Sequence, residues 1–175
     1  MIRYAKIKNV KDLERGTKNS AGIDFYIPNA EDFYVKLQEY NTEKGEWGLS
    51  DEPQKVPNGL YVLQPGRSIL IPSGIKSYFS DEYALIAFNK SGIASKHSVI
   101  VGASVVDSDY QGEIHIDLKN VGDKNISICA GDKITQFILV KIGLDELKKV
   151  ESEEELWSGV KTERGEGGFG HTGKK

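Results

Sequence analysis

A single cysteine stands among the 175 residues, so Cys129 has no partner for an internal disulfide. That argues against a small secreted scaffold stapled by cystines. Within its apolar neighbourhood, Ile126 to Ala130, Cys129 reads as a small buried hydrophobe rather than a reactive thiol. A basic excess is missing too: 23 Lys and Arg against 26 Asp and Glu leave a formal charge of -3. Nucleic-acid surfaces normally carry the opposite balance, so no nucleic acid is expected as a partner. No stretch reaches the roughly 18 consecutive apolar residues of a membrane helix. The first residues, Met1 to Lys8, alternate charge and apolar side chains like an exposed strand and lack the apolar core of a signal segment. A cytoplasmic protein without membrane association is the expectation. No internal repeat is present.

Strand patterns fill most of the chain. Ile114, Ile116 and Leu118 alternate with Glu113, His115, Asp117 and Lys119, the period of a sheet with one wet face. Ile134 to Val140 is β-branched and aromatic and predicts a buried strand, with Gln136 as a polar intruder that needs a partner. Turn signals at Pro65-Gly66, Pro72-Ser73-Gly74, Val121-Gly122-Asp123 and Ala130-Gly131-Asp132 separate such runs. Their close spacing predicts an all-β sandwich or barrel of short strands. One short helix is expected over Ser91 to His97. A second is expected after Ser152 as N-cap, with Glu155 closing a capping box. Residues 30 to about 58, acidic and rich in aromatics (Phe33, Tyr34, Tyr40, Trp47), read as an added hairpin or long loop.

Chemistry gathers at five places. In Val105-Val106-Asp107-Ser108-Asp109-Tyr110 the apolar pair predicts the end of a buried strand, placing Asp107 at a turn where a carboxylate can take a proton from water. An Asx-turn would use the same residue structurally. Tyr110 puts a flat ring nearby. Lys90-Ser91-Gly92 offers a cation, a hydroxyl and open backbone at a helix start, which suits an anion, although a capped surface helix would look the same. Asp24, after Ala21-Gly22-Ile23, is a further acidic candidate, and Gln136 the polar one. The C-terminal run from Arg164 to Gly173 cannot build a core. Its glycines free N–H groups to converge on oxyanions, Arg164 adds a planar fork, and Phe169 a stacking ring. A disordered tail has the same composition.

Together these segments resemble the trimeric dUTPase (deoxyuridine triphosphate nucleotidohydrolase) family, whose five motifs are matched in order. They are Ala21 to Asp24, Lys90 to Ala94, Val101 to Gly112, Gly131 to Gln136, and Arg164 to Gly173. The resemblance spans nearly the whole chain except residues 30–58. It implies a distorted jelly-roll, or β-clip, barrel over residues 1–160 with a flexible phosphate-binding arm at 161–175. It also implies Mg²⁺-assisted hydrolysis of dUTP to dUMP and pyrophosphate by a homotrimer with shared sites, keeping uracil out of DNA and supplying dUMP for dTMP synthesis. By resemblance, Asp107 deprotonates the attacking water, and Ser91 and Gln136 contact phosphates and help place that water. Lys90 and Gly92 lie on the phosphates. Val101, Gly102, Ser104 and Val106 belong to the hairpin that reads uracil, and Tyr110 leaves no room for a 2′-hydroxyl. Arg164, Gly168, Phe169, Gly170 and Thr172 close the arm over the nucleotide. Asp24 corresponds to a position near the phosphates with an indirect bearing on the metal.

Two motifs depart from the family pattern. Asn89-Lys90 stands where proline and arginine are usual, so the bidentate phosphate fork is lost while the charge is kept. Ser104 stands where glycine is usual; if that position needs φ > 0, the serine is strained. Weaker binding, not inactivity, is the expectation. His171 occupies a place where many relatives carry a small hydroxyl residue. Three other readings are open. Deoxycytidine triphosphate deaminases share the implied fold, and Asp117 lies near their glutamate for attack on the base. The 30–58 insert could dock a protein partner, or be surface decoration. A nucleotide-binding relative without hydrolysis is the third, opposed by the presence of Asp107, Tyr110 and Arg164.

Overall fold

The computed structural model describes residues 1–42 and 44–168, in two compact units, Met1–Gly143 and Leu144–Lys175. The first unit holds fourteen strands in the described residues. In chain order they are β1 (Arg3–Lys6), β2 (Ile23–Tyr26), β3 (Tyr34–Asn41), β4 (Glu46–Leu49), β5 (Gln54–Lys55), β6 (Leu60–Leu63) and β7 (Ser68–Pro72). There follow β8 (Ile75–Tyr78), β9 (Tyr83–Asn89), β10 (Val99–Val101), β11 (Val105–Val106), β12 (His115–Asn120), β13 (Ile126–Cys129) and β14 (Lys133–Lys141). A helix α1 (Ser91–His97) follows β9, and in the second unit α2 (Glu153–Leu156) is the one described helix.

Two sheets carry the fold, both built of antiparallel pairs. One runs β10-β12-β7-β3-β4 with β5 beside β3, the other β11-β9-β14-β2. Period-two burial explains how each strand feeds the core. In β7, Ile69 and Ile71 turn inward; in β12, Ile116 and Leu118 do so opposite them in register. From the second sheet come Phe25, Leu85 and Phe137, all buried, with the rings of Phe25 and Phe137 4.2 Å apart. These side chains join one continuous cluster. Each fully buried Ile, Leu or Phe removes enough apolar surface to stabilise the fold by about 1.5–3 kcal/mol.

Three local expectations are revised. Cys129 is exposed, because the alternation of β13 turns Ile128 inward and its neighbour outward. The Val105-Val106 pair does not end a buried strand: Val105 is 61% exposed and β11 is a two-residue edge. Strand β14 buries Ile134, Thr135 and Phe137 but runs past the core, leaving Val140 partly exposed.

Residues 30–58 form a hairpin, β3 with β4, whose root belongs to the core. Phe33, Val35 and Val56 are buried, and Lys36 and Leu37 pair with Leu70 and Ile69 of β7. Its tip is exposed, with Tyr40 and Trp47 stacked edge-on at 5.4 Å. In the second unit, Ser152 Oγ accepts from the Glu155 N–H at 3.2 Å, and Glu155 reaches back one residue further than a strict capping box, to the Glu151 N–H.

Candidate active site

Strand β9 is the spine from which the site is built. On one edge it pairs with β11, on the other with β14, and its last residue, Asn89, leads directly into Lys90 and α1. One group of the expected residues gathers at that end, and a second lies along the β11 edge, where Val106 pairs with Leu85.

The first group is ionic. Asp24 on β2 is only 4% exposed, and its two oxygens meet Lys90 Nζ at 2.5 Å and Lys133 Nζ at 2.9 Å. Burial alone would raise the Asp24 pKa, but the hydrogen bonds from Lys90 and Lys133 outweigh it and hold the carboxyl below its usual range. Lys133 in turn bonds Glu14 at 2.9 Å, and Glu14 accepts from the Tyr26 hydroxyl. The hydrogen bonds that Lys133 donates to Glu14 and then to Asp24 push its ammonium well above the usual lysine range. Lys133 falls within the Gly131 to Gln136 motif without being singled out in it, and Glu14 has no periodic or motif signal. The loop before Asp24 is pinned by Arg15, whose guanidinium donates to the carbonyls of Ser20 and Ala21.

Gln136 lies beside this network, directly opposite Asp24 in the β14–β2 register. Its Nε2 donates to the Asn89 carbonyl at 3.0 Å, which satisfies the polar intruder. A Cβ on Gly22 would stand 2.1 Å from Gln136 Oε1, so glycine there makes room for the amide. Lys90, Ser91, Gly92, Lys133 and Gln136 line a cleft of about 370 Å³, joined by Lys96 and His97 at the far end of α1. Ala94 is the first residue of α1 to donate back, to the Lys90 carbonyl, so the N–H groups before it point outward without intrahelical acceptors. Lys96 and the open N–H groups give this cleft an anion-binding character, while Lys90 and Lys133 are paired with Asp24.

The second group is the loop and turn around Asp107. Asp107 is exposed; its carbonyl accepts from the Tyr110 N–H at 3.2 Å, closing a turn, and among the described residues no hydrogen bond or ion pair engages its carboxylate. Tyr110 donates its hydroxyl to the Glu113 carbonyl at 3.0 Å, and its ring folds over Gly112, where a Cβ would lie 2.3 Å from the ring. Ser104 is not in the left-handed region, which non-glycine residues enter only at Asn58 and Ser98 among the described residues. It carries no backbone strain. The glycine that matters is Gly102, whose Cβ would stand 2.1 Å from Asp117 Oδ2.

Among the described residues no hydrogen bond joins Asp107 to Ser91 or Gln136; the groups are linked only through β9. Arg164 and Gly168 lie in the second unit, where Arg164 Nε donates to the Gly167 carbonyl at 2.7 Å. Phe169, Gly170, His171 and Thr172 fall outside the described residues. As for a metal, no cluster of three or more carboxylate, His or Cys ligands occurs among the described residues. Both Asp24 oxygens are taken by lysines, so the carboxyl does not fit direct coordination.

The family model for dUTPase matches residues 56–173, well over half of the chain. The chain belongs to the dUTPase family. It is similar to the deoxyuridine 5'-triphosphate nucleotidohydrolase of Haemophilus influenzae, 37% identical over 142 residues covering 79% of this chain and 88% of the relative. Its likeness to the same-named protein of Actinobacillus succinogenes is 38% identity over 118 residues, covering 66% and 74%. Among solved structures, the dUTPase of Staphylococcus bacteriophage 80alpha with dUpNHpp superposes with a TM-score of 0.71 at 22% identity, covering 99% of this chain and 98% of that one. A mutant dUTPase from phage phi11 of S. aureus, solved with a structural Mg(II) ion, gives 0.65 at 19% identity over 88% and 99%. These likenesses establish the all-β, jelly-roll fold of the dUTPases for this chain. The family match starts at Val56, so the β3–β4 hairpin lies wholly before it.

Proposed function

We propose that this chain hydrolyses dUTP to dUMP and pyrophosphate, with the magnesium complex of dUTP as substrate. The carrying observation is membership of the dUTPase family together with an exposed Asp107 carboxylate, unengaged among the described residues, beside a ring-bearing turn. Asp107 takes a proton from water as its oxygen attacks the α-phosphorus in line. The bond from the α-phosphorus to the bridging oxygen breaks, and pyrophosphate leaves. Ser91 and Gln136 orient the phosphates and the water, and Lys90, Lys133 and the open N–H groups of α1 offset the charge growing on the leaving group. Magnesium carried on the triphosphate lowers the repulsion between phosphate oxygens and nucleophile.

The loop over Val101, Gly102, Ser104 and Val106 reads uracil, and Tyr110 excludes a 2′-hydroxyl. Residues 161–175, with Arg164, Gly168, Phe169, Gly170 and Thr172, act as an arm that closes over the bound nucleotide. Three chains assemble so that one subunit's groups complete another's site, which fits the separation of the two residue groups within one chain. No helix among the described residues is long and apolar enough to cross a membrane, and a cytoplasmic enzyme is the reading we adopt.

The test is incubation of the purified chain with Mg²⁺ and each of dUTP, dCTP, dTTP and UTP, reading pyrophosphate and ammonia. Pyrophosphate from dUTP alone is expected. Ammonia from dCTP would move the assignment to deamination, and silence from all four would leave a binding protein.

A second reading concerns the hairpin tip. Tyr40, Trp47, Tyr61, Val62 and Arg67 line a cleft of about 550 Å³ in which Trp47 is 55% exposed, a surface suited to docking a protein. Replacing residues 39–48 by a short turn should leave turnover intact. Lost turnover would mean that the tip shapes the site or the trimer.

A further inference from the structure

Three consecutive N–H groups, from the last residue of β10 into the loop that follows, are engaged by the protein's own acceptors, two of them by side chains. Val101 N–H donates to Asn89 Oδ1 at 2.7 Å. Gly102 N–H donates to the Asp117 carbonyl at 3.0 Å, and Ala103 N–H to Asp117 Oδ2 at 2.8 Å. On its far side the loop is tied down by the Ala87 N–H, which donates to the Ser104 carbonyl at 2.7 Å. The two side-chain acceptors come from different sheets: Asn89 ends β9 in the second, Asp117 sits mid-strand in β12 of the first. They grip the loop from both layers, and Gly102 is bare where the Asp117 carboxylate presses against it.

We propose that Asn89 and Asp117 are positioning residues that fix which donors and acceptors the loop offers to a base, and so set the preference for uracil over cytosine. The inference rests on the reading that this loop meets the base. Uracil presents a donor at N3 and an acceptor at O4; cytosine reverses both. A loop whose N–H groups at 101 and 103 are held inward cannot turn them toward the N3 lone pair of cytosine. Released, those donors can rotate outward and satisfy the wrong base. Both roles follow from acceptor atoms. Proline at position 89 would have no acceptor side chain, so the departure noted in the sequence gives the loop a tie. For Asp117 the geometry points away from attack on a base, since one oxygen is already engaged by a backbone N–H.

The experiment uses the full chain and the variants Asp117→Ala, Asn89→Ala, Asp117→Asn and Asn89→Asp. Amide exchange at Val101 and Ala103 is followed by NMR, and kcat/KM is measured for dUTP and dCTP with Mg²⁺. Each alanine variant should speed exchange at its own amide and lower the dUTP:dCTP ratio by roughly tenfold, the scale of losing a hydrogen bond to a charged or strongly polar acceptor. The acceptor-keeping variants should restore both. Unchanged exchange at Ala103 in Asp117→Ala would overturn the tie. Faster exchange with equal loss for both nucleotides, or with a lowered melting temperature alone, would overturn the specificity role. Absence of dUTP turnover in the unaltered chain would sink the functional reading instead, because exchange is read without substrate.

Discussion

The two edges of β9 solve opposite problems with similar residues. Toward β14 and β2, a carboxylate is buried and both its oxygens are neutralised by lysines. Toward β11 and the turn beyond, a carboxylate stands exposed with no partner among the described residues. Asp24 and Asp107 thus differ in surroundings rather than chemistry. A buried, paired acid resists protonation and stays put; an exposed, unpaired one remains available to take up a proton. Electrostatic rigidity and reactive availability are kept on separate edges of a single strand.

That contrast can be broken by experiment. The largest effect is expected for Asp107→Asn, which should lower the rate of pyrophosphate release from dUTP by about 10²–10⁴-fold, the usual worth of a general base. Its thermal melting should be nearly unchanged, because the side chain holds nothing in place; a large loss of stability in calorimetry would erase the distinction between the edges.

Lys133→Met should act the other way. It leaves Asp24 buried with half its partners, and breaking such a pair costs about 3–5 kcal/mol when fully desolvated. With 35% of the Lys133 side chain exposed, solvent screening makes the loss smaller than for a fully buried pair. Urea unfolding measures it, and a cost near zero would mean the network contributes little.

A pH series sharpens the same point. The Asp24 pKa is held below its ordinary value of 3.8, so its contribution is fully present above about pH 4 and fades as pH falls through the lower folded value. Asp24→Asn should flatten that acid limb in denaturation curves, and an unaltered slope would assign the limb to other carboxyls. Tyr110→Phe, the smallest change, removes one exposed hydroxyl bond to the Glu113 carbonyl. It should shift stability by under about 1 kcal/mol and leave dUTP turnover near its original level. A large loss of turnover would show that the hydroxyl, not the ring, matters.

Much of this was legible in the residues because it depends on local chemistry. Alternation over Ile114 to Leu118 found β12, Ser91 found α1, and Ser152 found α2, since periodicity and capping operate within a few positions. The Asp107 turn was legible for the same reason. What escaped was non-local. Glu14 reaches Lys133 from 119 residues away, and nothing near either hints at it. Asp117 looked like one more polar position on a wet strand face until the fold set it beside Ala103. Cys129 was misjudged because apolar neighbours say what a segment is, not which face of the strand a given residue takes. The segment at 30–58 looked separable by composition, yet Phe33 and Val35 enter the core, a matter of register with β7 rather than of content.

One consequence of β9 concerns how the molecule breathes. Hydrogen-bonded on both edges, it has Gln136, beside the ion network, on one side and the 101–104 loop on the other, and Asn89 touches both through its carbonyl and its side chain. A transient opening that releases the end of this strand therefore loosens both groups together. Protection from solvent exchange should be lost in step across Val101, Gln136 and Lys90, as for one cooperative unit. Thermal unfolding would then proceed as an all-or-none event at each site, with the Gln136 side and the 101–104 loop losing order at the same temperature.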